Sequence, residues 1–314
     1  MRASRCSEAV DNQVNLTQIS SDDIDRLLLN LFRKAVAIDT RRVQALGGGG
    51  LVESGRVVPA GRAGLALGAG ALGLVAWIVF ALGGAPLAAR IGVSIGMWWL
   101  LTPLFMVVGH RMIPFFSASA LPKYEAFRPD WALRLLLAVS VIHGALAMAD
   151  LARLAWPVDL AGAACALWLS WKWQLRRSLA VPILAMLHLG FVWLGIAWLL
   201  FGLQGLLAAA GIPTLGLAPL HALAVGYFAT MTLAMVSRVT LGHSGRPLVA
   251  DGLTWRLALA LHGVALLRVL ADVLPVGHDP LLALAGIGWL AVFGPWAGRL
   301  LPIYLKPRAD GRPG

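Results

Sequence analysis

Residues Leu217–Pro247 read LAPLHALAVGYFATMTLAMVSRVTLGHSGRP. The run opens on Pro219 and His221, continues through apolar and small residues, and ends in a polar loop that carries His243 and Arg246. Its length matches the roughly 20 residues that a helix needs to cross a hydrocarbon core about 30 Å thick. Backbone groups in lipid must be satisfied within the segment, so the run is expected to be a helix. His221 and Arg238 are expensive residues for such a helix, which marks the segment for function as well as topology.

Working outward, the same apolar pattern recurs along the chain. Of the 314 residues, 59% are hydrophobic and 13% charged, and the mean hydropathy is +0.78. Soluble domains carry about 25% charged residues. The fold class expected is an all-α polytopic transmembrane helix bundle of eight spans, at residues 63–83, 89–110, 131–150, 154–171, 180–202, 217–239, 254–274 and 281–303. Small residues at four-residue spacing, Gly64/Gly68 and Ala69/Gly73, suit close helix approach in the first span. Residues 1–60 differ: Ser21, Asp22, Asp23 and Asp25 start one short amphipathic helix that ends near Arg41, followed by the break Gly47–Gly50. The expected organisation is therefore a polar leader, 1–60, and a transmembrane domain, 61–314.

The net charge of +11 does not argue for nucleic acid, because its placement follows the loops. Arg111, Lys123, Arg128, Arg134, Lys172, Arg176, Arg177, Arg238, Arg246, Arg256, Lys306, Arg308 and Arg312 fall on one side; Arg90 and Arg153 fall on the other, with Asp150, Asp159 and Asp279. Positive residues stay inside, so both termini are expected in the cytoplasm. Trp131, Trp156, Trp171, Trp173, Trp198 and Trp255 sit near span ends, as interfacial anchors do. Cys6 and Cys165 fit neither a disulfide nor a metal spacing.

Seven histidines remain. With this topology His188 and His262 both lie roughly 12 Å deep from the cytoplasmic side, at 1.5 Å per residue. They form one candidate pair across a cofactor. His143 and His221, in the outer halves of their spans, form a second. Two imidazoles at matched depth on different helices are what a six-coordinate haem requires, and copper also accepts imidazole. The plain alternative is that each makes an interhelical hydrogen bond of about 1 kcal/mol. His110, His243 and His278 fall at the edges. Ala222, Gly226, Thr230 and Ala234 give span six a smooth face for a neighbouring helix or a flat macrocycle. Arg238 and Arg246 suit carboxylates such as haem propionates, or simply fix topology. No nucleophile, acid–base pair or nucleotide loop is visible.

The block HALAVGYFATMTLAMVSRVTLGHSGRPL, His221 to Leu248, resembles the signature of the NnrS family of bacterial inner-membrane proteins. GHRMIPFFS (Gly109 to Ser117), LHLGFVWL (Leu187 to Leu194) and the ending YLKPRADGRPG resemble further family blocks. The resemblance implies a multi-pass protein of the cytoplasmic membrane that contains haem, of b type, and copper. It also implies a role in nitric oxide metabolism and protection from nitrosative stress, often beside denitrification genes. By position, His188, His221 and His243 match family histidines, and Arg111, Arg238 and Arg246 match its arginines. His143 and His262 rest on depth alone. His110 stands where the family often has glycine, and Ser117 where it often has threonine. The family's opening spans, with a histidine-rich block, have no counterpart here, so the chain reads as N-terminally truncated. Two other classes stay open: a transporter or channel with a histidine-lined path, and an inactive remnant.

Overall fold

A computed structural model of the chain describes residues 57–274 and 277–311, with side chains from Ala63. The expected amphipathic helix of the leader lies outside the described residues. Every regular element among the described residues is helical. The long helices are α1 (Val57–Ala81), α2 (Pro86–Ala120), α3 (Asp130–Met148), α4 (Trp156–Lys172), α5 (Pro182–Ala209), α6 (Ala218–His243), α7 (Gly252–Val273) and α8 (His278–Tyr304). They coincide with the eight expected segments, and the bundle is all-α as expected. Six of them, all but α4 and α7, are long and apolar enough to cross a membrane. The former has only 17 residues, and the latter carries Arg256, Arg268 and Asp272 in its 22. The expected boundary after residue 60 falls inside α1, which begins at Val57.

The sequence places the helix starts. Pro86, Pro157 and Pro182 stand in the first turns of α2, α4 and α5, where a missing N–H costs nothing. Asp251 caps α7 by accepting from the Thr254 amide at 2.9 Å. Gly277, with φ +86°, turns the chain into α8, a conformation that glycine adopts without strain.

Helix α5 is the centre. Of its most apolar stretch 72% is buried, against 11% for α1 and for α8. It packs against α4, α6 and α2, while α7 and α8 pair with one another. Glycines permit the closest approaches: a side chain on Gly195 or Gly202 would run into Leu167 or Leu160 of α4. In the first helix the close contact is Gly73 against the Gly92 backbone, whereas Gly64 and Gly68 face open space.

Two helices are interrupted by wide π turns, Gly96–Leu101 in α2 and Ala222–Ala229 in α6. Such turns shift the backbone hydrogen-bond register and are common at functional sites. A threonine follows each. Thr102 donates to Met97 O at 2.8 Å, and Thr230 donates to Gly226 O, returning a partner to carbonyls near the shifted register.

Two expectations need correction. Trp173 and Trp198 are fully buried and are not interfacial anchors. The first donates to Phe127 O at 2.8 Å and packs on Phe191, and the second lies among aromatic rings in the bundle. Trp131 and Trp171 are exposed, as anchors should be. Asp159 and Arg238, counted among loop charges, are buried within α4 and α6, the first against His143 and the second stacked on the Phe116 ring.

Candidate functional site

His188 is 1% exposed on α5. Its Nε2 lies 2.9 Å from Ser117 Oγ on α2. The Ser117 hydroxyl donates to Ile113 O at 2.8 Å, so its one proton is committed within its own helix. With its proton so placed, Ser117 accepts from His188 Nε2–H. In that tautomer the lone pair is on Nδ1, an atom that is buried and has no hydrogen-bond partner. One residue before Ser117, Phe116 supports the guanidinium of Arg238 from α6, 3.9 Å from the ring centre. Arg238 is 6% exposed and its Nε is also without a partner. Tyr227, in the π turn of α6, has a third such atom, its hydroxyl. That hydroxyl lies 3.7 Å from where a side chain on Gly109 of α2 would begin. Buried polar atoms without partners are few in folded proteins, and each calls for a ligand, ion or water. Here three line the junction of α2, α5 and α6. In the loop after α2, burial pushes the Tyr124 phenol up from its usual range, with the approach of Ser117 opposing the shift.

Two further histidines are held by carboxylates. His143 Nδ1 donates to Asp159 Oδ1 at 2.9 Å, with the side chains 7% and 2% exposed. The imidazole is enclosed by Trp98, Trp198 and Phe201, at ring separations of 4.3, 5.6 and 4.8 Å. Trp98 comes from the π turn of α2, and Gly144 leaves room for it: a side chain there would begin 2.6 Å from Trp98 Cβ. His221 Nδ1 donates to Asp272 Oδ2 at 2.7 Å, and Arg268 Nη1 reaches Asp272 Oδ1 at 3.0 Å. In both pairs a neutral imidazole donating from Nδ1 keeps its lone pair on Nε2. Carboxylate-backed histidines of this kind are typical metal ligands, oriented and made more basic by the acid behind them.

The remaining sequence candidates are dispersed. His262 accepts from Trp193 Nε1 at 2.9 Å and makes no hydrogen bond with His188. His143 and His221 likewise each sit with a separate acid. The smooth face of span six receives Trp193: a side chain on Gly226 would collide with that indole. His110 lies 3.2 Å from Pro129 O. His278 lies 2.9 Å from Ala271 O. His243 is exposed at the end of α6, and His221 stands at the other end of that same helix, before its π turn. Arg111 is exposed. Arg246 lines a cavity of about 400 Å³ between α6, α7 and α8. A second cavity, about 520 Å³, is an apolar groove between α7 and α8. No histidine lines either one. Among the described residues, no three of the His, Cys, Asp or Glu side chains converge as a metal site.

Comparison with known proteins bears on what these residues serve. The family model described as NnrS protein matches residues 58–308. The chain belongs to the NnrS family. No curated protein and no solved structure matches it. The NnrS match covers every histidine discussed above, from His110 to His278.

Asp159, Asp272 and Arg268 were missed by reading the sequence. Ionisable residues inside apolar runs are the signal that would have found them. Asp272 lies near the end of α7 that meets the His221 end of α6.

Proposed function

We propose that this NnrS-family protein is a multi-pass protein of the bacterial cytoplasmic membrane that holds haem, or a copper ion, and handles nitric oxide in nitrosative-stress protection. The observation that carries this reading is His188. Its Nε2–H is committed to Ser117, and its buried Nδ1 lone pair has no protein partner. A neutral, oriented imidazole with a free lone pair in an apolar surrounding is what either metal accepts. The donor chemistry present therefore fits. His188 is the first ligand proposed; carboxylate-backed His221 and His143, in the outer halves of their helices, would serve a separate site. His262 and His243 rank below them, because Trp193 occupies the Nδ1 of the former and the latter is exposed. When bound, the metal would supply the position at which nitric oxide attaches. Arg238, stacked on Phe116 beside Ser117, supplies positive charge to a propionate or other anion near His188. The loop charges support a topology with both termini cytoplasmic.

The test is the visible spectrum of the full chain purified in detergent from haem-replete cells. A Soret band that moves on adding nitric oxide is expected, lost or displaced in His188→Ala and kept in His278→Ala. A haem-free, copper-free wild-type protein that is correctly inserted overturns the reading. The His143–Asp159 pair favours a second reading, a proton path through the bundle, since buried acid–histidine pairs serve as relays in membranes. Proton flux into proteoliposomes that disappears in Asp159→Asn, with no bound metal, would select it.

A further inference from the structure

The cavity bounded by Arg246 and Arg299 has no part in the metal reading, since no histidine lines it. It lies where α6 ends, α7 begins and α8 ends, at the arginine-rich end of the bundle. Three of its polar groups are already engaged. Trp296 Nε1 donates to Ser237 Oγ at 2.9 Å, and Ser237 donates to Leu233 O at 2.7 Å, which fixes one wall. Asp251 accepts from the Thr254 amide on one oxygen and from Arg299 on the other, so each of its oxygens is already engaged. The cations are not matched in the same way. Arg299 contributes one of its five N–H groups to Asp251. Arg246 Nη1 is buried without a partner. Asp310, next to Gly245, is bridged to Arg308 at 2.7 Å. The rest of the wall is apolar, including Leu241, Leu257 and Ile303.

Two arginines above an apolar, interhelical wall suit a ligand with a phosphate at one end and hydrocarbon at the other. We propose that this cavity binds the headgroup phosphate of an anionic phospholipid, with Arg246 as the main donor and Arg299 as the second. A free phosphate shares the headgroup chemistry but has no use for the apolar wall. Basic pockets between helices at the cytoplasmic side are known to hold anionic headgroups. Level with the ends of three helices, the site would stand at the level of lipid phosphates in a bilayer crossed by the bundle.

The experiment uses the full chain in nanodiscs of phosphatidylcholine, with and without phosphatidylglycerol, reading thermal unfolding. Phosphatidylglycerol should raise the midpoint of the wild type. In Arg246→Gln the response should need about fivefold more phosphatidylglycerol, the effect of about one basic contact at a membrane surface. Val249→Trp, which fills the cavity mouth, should abolish the response, and Arg153→Gln, at the opposite end, should keep it. Native mass spectrometry of the wild type should show phosphatidylglycerol displacing phosphatidylcholine. Equal occupancy by both lipids, or an unchanged response in Arg246→Gln and Val249→Trp, overturns the proposal. So does a full midpoint shift with inorganic phosphate alone in detergent, which would make the site a free-anion pocket. If Arg246→Gln alters a Soret band while the lipid response is intact, Arg246 serves a haem instead. The metal reading stands or falls on His188 independently.

Discussion

Among the described residues two carboxylate–histidine pairs occur, and they differ in what surrounds the acid. Asp159 is 2% exposed and meets His143 inside a cage of Trp98, Trp198 and Phe201. Asp272 is 8% exposed and has two donors, one on each oxygen: His221 and Arg268. The first pair depends on a single hydrogen bond in an apolar shell. The second shares its acid with a cation one helical turn away. Removing a partner should therefore cost much more in the first pair than in the second, although the chemistry of the removed residue is the same.

The largest expected effect tests that claim directly. His143→Ala leaves Asp159 buried without its partner, and breaking such a pair costs about 3–5 kcal/mol. His143→Ala combined with Asp159→Ala should recover part of this, since the cost is mostly the stranded acid. Equilibrium unfolding in mixed micelles measures both. Next is Arg268→Leu, expected to cost about 2 kcal/mol, the value of a hydrogen bond to a charged group. It also leaves the second acid, like the first, with a histidine as its one side-chain donor. His221→Ala alone should cost only about 1 kcal/mol while Arg268 remains on Asp272. On the Arg268→Leu background its cost should rise towards that of His143→Ala. If the two histidine substitutions cost the same in the wild type, the second donor on Asp272 contributes nothing and the comparison fails.

How far the sequence could be read follows the same division. Helix positions were legible because apolar length and turn prolines act locally: all eight expected segments are helices, and the NnrS blocks on α2, α5 and α6 identify the family. The two π turns were not legible, since nothing in GMWWLL or ALAVGYFA departs from an ordinary apolar helix. Depth along a helix was readable and azimuth was not. His188 and His262 were placed at matched depth, yet one faces Ser117 on α2 and the other faces Trp193. Four-residue spacing made Ala222, Gly226 and Thr230 look like one smooth stripe, but its occupant, Trp193, comes from a different helix that spacing cannot register. The acids were overlooked for a related reason. Asp159 stands one turn into α4 and passed for a loop charge, whereas its partner is 16 residues earlier on α3.

A third carboxylate, Asp251, supplies the baseline for the other two, because it lies in the loop before α7 and its side chain is 48% exposed. The Thr254 hydroxyl and amide hold its carboxyl below the usual range; burial opposes this slightly, and Arg299 adds to it. The folded value thus lies below the unfolded one, near 3.9. The resulting stabilisation is present at neutral pH and is lost as the pH falls through the folded value. Solvent screening at so exposed a site limits the charge contribution to a few tenths of a kcal/mol, roughly that of a surface ion pair. The cap itself is larger: Asp251→Ala should cost about 1 kcal/mol at pH 7. Asp251→Asn keeps an acceptor for the Thr254 amide and should cost only the charge contribution, a few tenths of a kcal/mol. The gap between wild type and Asp251→Asn should close below about pH 4, as the carboxylate takes up its proton. Unfolding midpoints measured from pH 7 to pH 3 would show it, and a gap that stays constant across that range would mean that the charge of Asp251 contributes nothing to stability.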